Sequence, residues 1–217
     1  MLPILYSFRR CPYAMRARMA IGVAGCEVEH REILLSDRPA QLRAISSQAT
    51  VPCLQITPDE VLTESLQIMH WALNQADPAN WLPDKSQIAT VDELIATNDG
   101  EFKHNLDRFK YSTRYEDADP LLARAKAEQF LAQLESRLTK HQQLLSNETS
   151  IADVAIFPFI RQFSRADSEW FATAPYEALR RWVSWWESNP PFRRVMAKIP
   201  TWKTGDATVN FKAAFPP

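Results

Sequence analysis

The feature that most constrains this 217-residue chain is a change of texture at residues 76–84. That stretch, ADPANWLPD, holds two prolines and no periodicity, the marks of a linker. Before it, short apolar strands alternate with helical spacing. After it, the pattern is helical throughout. Residues 2–8 read as a strand, and residues 12–24 as a helix with Met15, Met19 and Val23 four apart. Residues 27–34 predict a second strand, 39–45 a short helix, 51–56 a third strand and 61–62 a brief fourth one. Residues 65–75, with Leu66, Met69 and Leu73 along one side, predict the next helix. The order β-α-β-α-β-β-α makes an α/β sandwich of about the smallest size that folds alone.

Beyond the linker, Ile88, Val91, Ile95, Phe102, Leu106 and Phe109 trace one long helix with a bend at Gly100, and Ala127 to Leu145 a second. Ser150 and Asp153 form a helix-start box ahead of an apolar run, and Thr149 before it supplies no apolar staple. Residues 179–186 and 192–199 predict two more helices, separated by Asn189-Pro190-Pro191. The tail from Trp202 reads as irregular, its Trp202, Phe211 and Phe215 docking back on the body. The expected domains are 1–77 (α/β), 78–85 (linker) and 86–217 (all-α).

Composition excludes several function classes. Lys and Arg are spread without a run and the formal net charge is -1, so no nucleic-acid footprint is present. Charge interrupts every apolar stretch well before about 18 residues, so no membrane span is expected. Pro3 and Arg9-Arg10 cut the apolar N-terminal stretch too short for a signal peptide. Three cysteines without a CxxC fit a reducing cytoplasm better than a disulfide framework. The four histidines lack zinc-like spacing, and no metal site is expected.

The chemistry concentrates at Arg10-Cys11-Pro12-Tyr13-Ala14, where the first strand hands over to the first helix. Proline is favoured at the first helical position, which makes Cys11 the N-cap. A sulfur there faces unpaired amides and the positive end of the helix dipole, and both lower a thiol pKa from about 8.5. Arg9, Arg10 and Arg16 lie close in sequence. Ala14 stands where a second cysteine would make a dithiol, so an external thiol must resolve any disulfide formed on Cys11. Cys26 and Cys53 lack such a setting and read as inert.

Two further pairs support a site. A cis Val51-Pro52 bond would turn the Val51 backbone toward an extended ligand, although the pair equally marks a plain strand start. Glu64-Ser65 opens a helix, where the Ser65 amide and hydroxyl suit a carboxylate and Glu64 an ammonium group; a simple cap reads the same way.

In register, these motifs resemble a cytosolic glutathione transferase of the cysteine-type, omega-like group with bacterial members. The resemblance spans nearly the whole chain. It implies the glutathione transferase fold: an α/β thioredoxin-like N-terminal domain plus an all-α C-terminal domain. Cys11-Pro12-Tyr13-Ala14 is similar to that group's monothiol turn, Val51-Pro52 to the pair that reads the cysteinyl backbone of glutathione, and Glu64-Ser65 to the pair that holds its γ-glutamyl group. Arg38 falls where a basic residue meets the glycine carboxylate. Ser47-Gln48-Ala49-Thr50 departs from the Asn-Pro and Gly or Lys usual before Val-Pro.

The implied activity is thiol transfer through a Cys11–glutathione mixed disulfide, with glutathione as co-substrate, no metal, and a small disulfide or electrophile as partner. The implied assembly is a homodimer. Two other readings stand beside it: a conjugating transferase using Tyr6, Ser7 or Tyr13, and a non-catalytic interaction protein on the same fold. Phe102, Arg108, Tyr111 and Tyr115, with Phe211 and Phe215, are candidates for an acceptor pocket, although each equally fits a core or surface aromatic or cation.

Overall fold

The computed structural model describes residues 2–211, so Phe215 lies outside the described residues. Among the described residues two compact units form, one from residues 2–79 with residues 189–211, the other from residues 80–188.

The first unit is built on a five-stranded sheet in the order β4-β3-β1-β2-β5. β1 (Ile4–Ser7) runs parallel to β2 (Val28–Glu32) and antiparallel to β3 (Cys53–Thr57). β4 (Glu60–Leu62) pairs antiparallel with β3. Helix α1 (Pro12–Val23) starts with Pro12 behind its N-cap Cys11. It ends where Gly25 takes φ +67°, and the Cys26 amide returns to the Ile21 carbonyl at 3.1 Å. Nearly every residue of α1 is buried, two arginines among them, because it packs against both α3 (Ser65–Gln75) and α10 (Pro190–Val195). The short α2 (Ala40–Ile45) leads to the turn before β3.

The expectation that residues 86–217 form one helical domain does not hold. Residues 189–211 join the first unit. Asn189 is the N-cap of α10, with Pro190 and Pro191 opening it, so the prolines start a helix where the sequence suggested a separator. β5 (Asn210–Phe211) then pairs antiparallel with β2 at Val28 and Glu29 and covers an edge strand that would otherwise expose its amides. Trp202 and Phe211 do dock back. The Trp202 amide donates to the Glu32 carbonyl at 2.8 Å, and Phe211 lies 5.8 Å from the His30 ring.

The second unit is helical. α4 (Ile88–Thr97) passes through a π-helical segment, Asn98–Phe102, into α5 (Lys103–Lys110); the bend expected at Gly100 is this π segment. α6 (Pro120–Leu138) is capped by the Asp119 carboxylate, which accepts from the Leu121 and Leu122 amides. It ends before Leu145, so the second long helix is shorter than its apolar spacing suggested. α7 (Ile151–Ser164) runs buried through the centre, α8 (Ser168–Thr173) is a short helix missed by periodicity, and α9 (Glu177–Ser188) closes the unit. The expected linker is partly core. Trp81 is buried, and its carbonyl accepts the Ile151 amide at 2.8 Å, an N-terminal donor of α7 that needs a partner.

Among the described residues no helix is long and apolar enough to cross a membrane.

Candidate active site

Cys11 stands where the sequence places it, as the N-cap of α1 with φ −74° and ψ 123°. Its sulfur differs from expectation. It makes no cap hydrogen bond to the first-turn amides; instead the Sγ thiol donates to the Val51 carbonyl at 3.5 Å. A protonated sulfur is a weak donor, and a backbone carbonyl accepts from it. The Val51–Pro52 bond is cis. Cys11 therefore lies half-buried against the cluster of Tyr6, Ile33, Leu42, Ala49, Val51 and Cys53. The thiol and the backbone edge predicted to read a peptide are neighbours.

Residues 47–50, where the sequence departs, form the turn before Val51. Ala49 takes φ 47°, a left-handed conformation that suits glycine and costs other residues about 1–2 kcal/mol. The Ala49 amide returns to the Ser46 carbonyl at 3.0 Å, and Arg38 Nη1 donates to the Gln48 carbonyl at 3.3 Å. Arg38 thus braces the turn that carries Val51.

Ser65 is buried at the start of α3, whereas Glu64, its N-cap, is exposed. Arg16 Nε donates to Ser65 Oγ at 3.0 Å, and the Arg16 guanidinium lies 5.0 Å from the Tyr13 ring. A buried cation behind a helix N-terminus strengthens that terminus as a carboxylate site.

The other thiols stand apart. Burial pushes Cys53 up to about 11 and also raises Cys26. Buried thiols so protonated are poor nucleophiles. No disulfide links any of the three cysteines.

Two candidate activators are closed off. Ser7 is fully buried, with its Oγ accepting from Arg18 Nη1 at 2.5 Å. Tyr6 is 1% exposed; burial raises its phenol, and its oxygen accepts from Arg31 Nη1 at 2.7 Å. Tyr13 remains half-buried beside Cys11 in sequence.

The acceptor candidates separate. Phe102 is 1% exposed, with Phe130 and Phe163 at 5.2 and 5.5 Å, so it is a core aromatic and not a pocket wall. Helical spacing alone does not distinguish the two. Phe211 belongs to the β2 edge of the first unit. Arg108 binds Asp117 at 2.9 Å and lies 5.0 Å from the Tyr115 ring, which is exposed. The Tyr111 hydroxyl accepts from Gln162 Nε2 at 3.2 Å. Arg108 also lines a cavity with Glu101, His104, Asp117 and Lys126.

Residues the sequence did not single out hold the Cys11 turn. Arg18, 1% exposed, donates from Nη1 also to the Phe8 carbonyl (3.4 Å), from Nη2 to the Arg9 carbonyl (2.8 Å) and from Nε to the Val195 carbonyl (3.1 Å). Glu32 Oε1 accepts the Arg9 amide at 2.6 Å, and Oε2 lies 3.2 Å from His30 Nε2. The signal available was two arginines inside an otherwise apolar helix.

The glutathione S-transferase N-terminal domain model matches residues 5–81, and the C-terminal domain model matches residues 85–184. Glutaredoxin 2 of Escherichia coli (strain K12) is 31% identical over 116 residues, 54% of this chain and 53% of that protein, so the match spans about half of that relative's length. A Caenorhabditis elegans protein named "Probable maleylacetoacetate isomerase" is 26% identical over 188 residues, 82% of this chain and 86% of that protein. A glutathione transferase family member from Pseudomonas fluorescens pf-5, solved with two glutathione bound, superposes with TM-score 0.77 at 17% identity, covering 90% of this chain and 92% of its own. A Pseudomonas putida glutathione transferase, solved with one glutathione disulfide bound per subunit, gives 0.77 at 18%, covering 92% of each. At these identities the likeness of structures shows the fold alone.

Proposed function

This chain belongs to the glutathione transferase superfamily, and we propose that within it the protein is a cysteine-type, glutathione-dependent thiol transferase acting through Cys11. The observation that carries the reading is the placement of the Cys11 sulfur, an N-cap thiol 3.5 Å from the carbonyl of a cis Val51–Pro52 pair. A tripeptide thiol extended along that backbone brings its own sulfur to Cys11. Ser65, with Arg16 behind it, takes the γ-glutamyl carboxylate, and Glu64 its ammonium group. Arg38 and Tyr13 complete the glutathione site.

The cycle needs two exchanges. The Cys11 thiolate attacks the glutathionyl sulfur of a mixed disulfide RS–SG. The Cys11–S–SG bond forms, the RS–SG bond breaks, and RS⁻ leaves to take a proton from water. Glutathione thiolate then attacks the adduct, forming glutathione disulfide and restoring the Cys11 thiolate. The net reaction is RS–SG plus glutathione giving RSH plus glutathione disulfide. An external thiol resolves the adduct because Ala14 replaces a second motif cysteine and Cys53 is buried with a raised pKa. Such chemistry belongs in a reducing cytoplasm, and we place the protein there as a homodimer acting on small disulfides or glutathionyl adducts.

Glutathione-dependent reduction of a small glutathione mixed disulfide, coupled to glutathione reductase, tests this against Cys11→Ser. Turnover that the substitution abolishes supports the reading. Aryl-halide conjugation that survives Cys11→Ser, without disulfide reduction, overturns it and moves the activating role to Tyr13. Glutathione binding without either activity favours an interaction protein.

A further inference from the structure

The guanidinium of Arg18 is buried, with hydrogen bonds to the Ser7 hydroxyl and the carbonyls of Phe8, Arg9 and Val195. A buried cation is costly unless nearby anions or dipoles hold it. Two groups that are anionic when ionised act on this one. Glu32 from β2 and Cys11 from the α1 cap both favour the charged guanidinium, while burial and Arg9 oppose it. Interactions of this kind are reciprocal: a cation that Cys11 stabilises must in turn stabilise the Cys11 thiolate.

Resting on the thiol-transfer reading above, we propose that Arg18 is a positioning residue for Cys11. It fixes the turn from Ser7 to Cys11 and supplies the buried positive charge that the thiolate faces, with Glu32 setting how much of that charge Cys11 receives.

The geometry supports both parts. Three of the four acceptors of Arg18 are Ser7 Oγ and the carbonyls of Phe8 and Arg9, all within four residues of Cys11. The Cys11 amide itself returns to the Phe8 carbonyl at 3.0 Å, so Phe8 joins the arginine to the cap. From α10, the Val195 carbonyl contributes a dipole. From β2 come Glu32 and the His30 beside it, whose own pKa is lowered by burial first and also by Arg18. The charged and titratable groups around the guanidinium are thus Arg9, Cys11, His30 and Glu32. With Cys11 as thiolate, Arg9 and Arg18 balance Glu32 and Cys11. The Val51 carbonyl accepts from the thiol, and a nearby cation favours the thiolate instead; in this proposal that cation is Arg18.

The test is the pH dependence of Cys11 alkylation by iodoacetamide, followed on the Cys11 peptide by mass spectrometry. It requires no glutathione and no turnover. Arg18→Gln should move the alkylation midpoint up by about one pH unit or more, the size expected when a close opposite charge is lost. Arg18→Lys, which keeps the charge and loses the fork, should hold the midpoint near wild type while slowing thiol transfer. Glu32→Gln should move it down, because the cation is then shared with one anion fewer. A distorted turn would move Arg18→Gln and Glu32→Gln in the same direction, and that result overturns the proposal, as does an unchanged midpoint in folded Arg18→Gln. Should Arg18→Gln fail to fold, Glu32→Gln decides: a lower midpoint supports the assignment and an equal or higher one removes it. A normal midpoint pattern in a protein without thiol-transfer activity would reject the function above and leave the role of Arg18 intact.

Discussion

Arg16 Nε donates to the Ser65 hydroxyl across 3.0 Å, joining the first helix of the α/β unit to the start of its third, with both side chains buried. A hydrogen bond from a charged donor is worth about 1.5–3 kcal/mol. Ser65→Ala should therefore lower unfolding free energy by about that amount in urea. It should also raise KM for glutathione with a smaller effect on kcat, since the proposed site sets the serine at the end of the tripeptide remote from the sulfur. An unchanged KM would remove Ser65 from the glutathione site.

The cysteines should differ sharply in reactivity. At neutral pH, limiting iodoacetamide should label Cys11 and spare Cys53 and Cys26, whose thiols burial holds protonated. Cys11→Ser should abolish the fast labelling. Full labelling should appear only in denaturant. Fast modification of Cys53 in the native protein would contradict its burial.

Acid stability in the α/β unit should depend on His30. Burial lowers its folded pKa below 6.5, so between the two values the unfolded chain binds more protons. The stability His30 contributes is present above about pH 6.5 and lost as pH falls through the lowered folded value. His30→Gln should flatten the fall in unfolding free energy below pH 6.5. The same slope in the variant would remove His30 as the source.

Asp153 has the opposite sign. Its carboxylate accepts from the Leu144 and Ser150 amides at 2.8 and 2.9 Å and from the Ser150 hydroxyl at 2.6 Å, yet burial outweighs these donors and pushes it up to about 6. The folded protein binds the extra proton, so this contribution is complete below the unfolded value of 3.8 and is lost as pH rises through about 6. Asp153→Asn should remove a loss on the order of 1–3 kcal/mol between pH 4 and 7, while costing stability at every pH through the broken box. A variant that keeps the wild-type pH slope would show that Asp153 ionises with an ordinary pKa.

Much of this was legible in the sequence, for identifiable reasons. Pro12 after Cys11 marked the helix start because proline is favoured at the first helical position. Ser150 and Asp153 marked the start of α7 by their spacing. The two-residue strand β5 carries no period-2 pattern, so its pairing with β2 was invisible. Pro190-Pro191 read as a break, yet the same residues open α10. Phe102 showed why helical spacing alone does not separate a core wall from a pocket wall. Arg18 was hidden because its role depends on carbonyls of residues 7–9 and 195, brought together only by the fold. The direction of the Cys11 sulfur depends likewise on Val51, 40 residues away.

The central claim is a disulfide between Cys11 and glutathione on the catalytic path. Brief exposure of the reduced protein to glutathione disulfide, followed by intact-mass and peptide mass spectrometry, tests it directly. The account predicts one glutathionyl adduct, located on Cys11, absent from Cys11→Ser, and released by added glutathione at a rate no slower than turnover. Turnover with no adduct on Cys11, or an adduct that glutathione does not release, would contradict it.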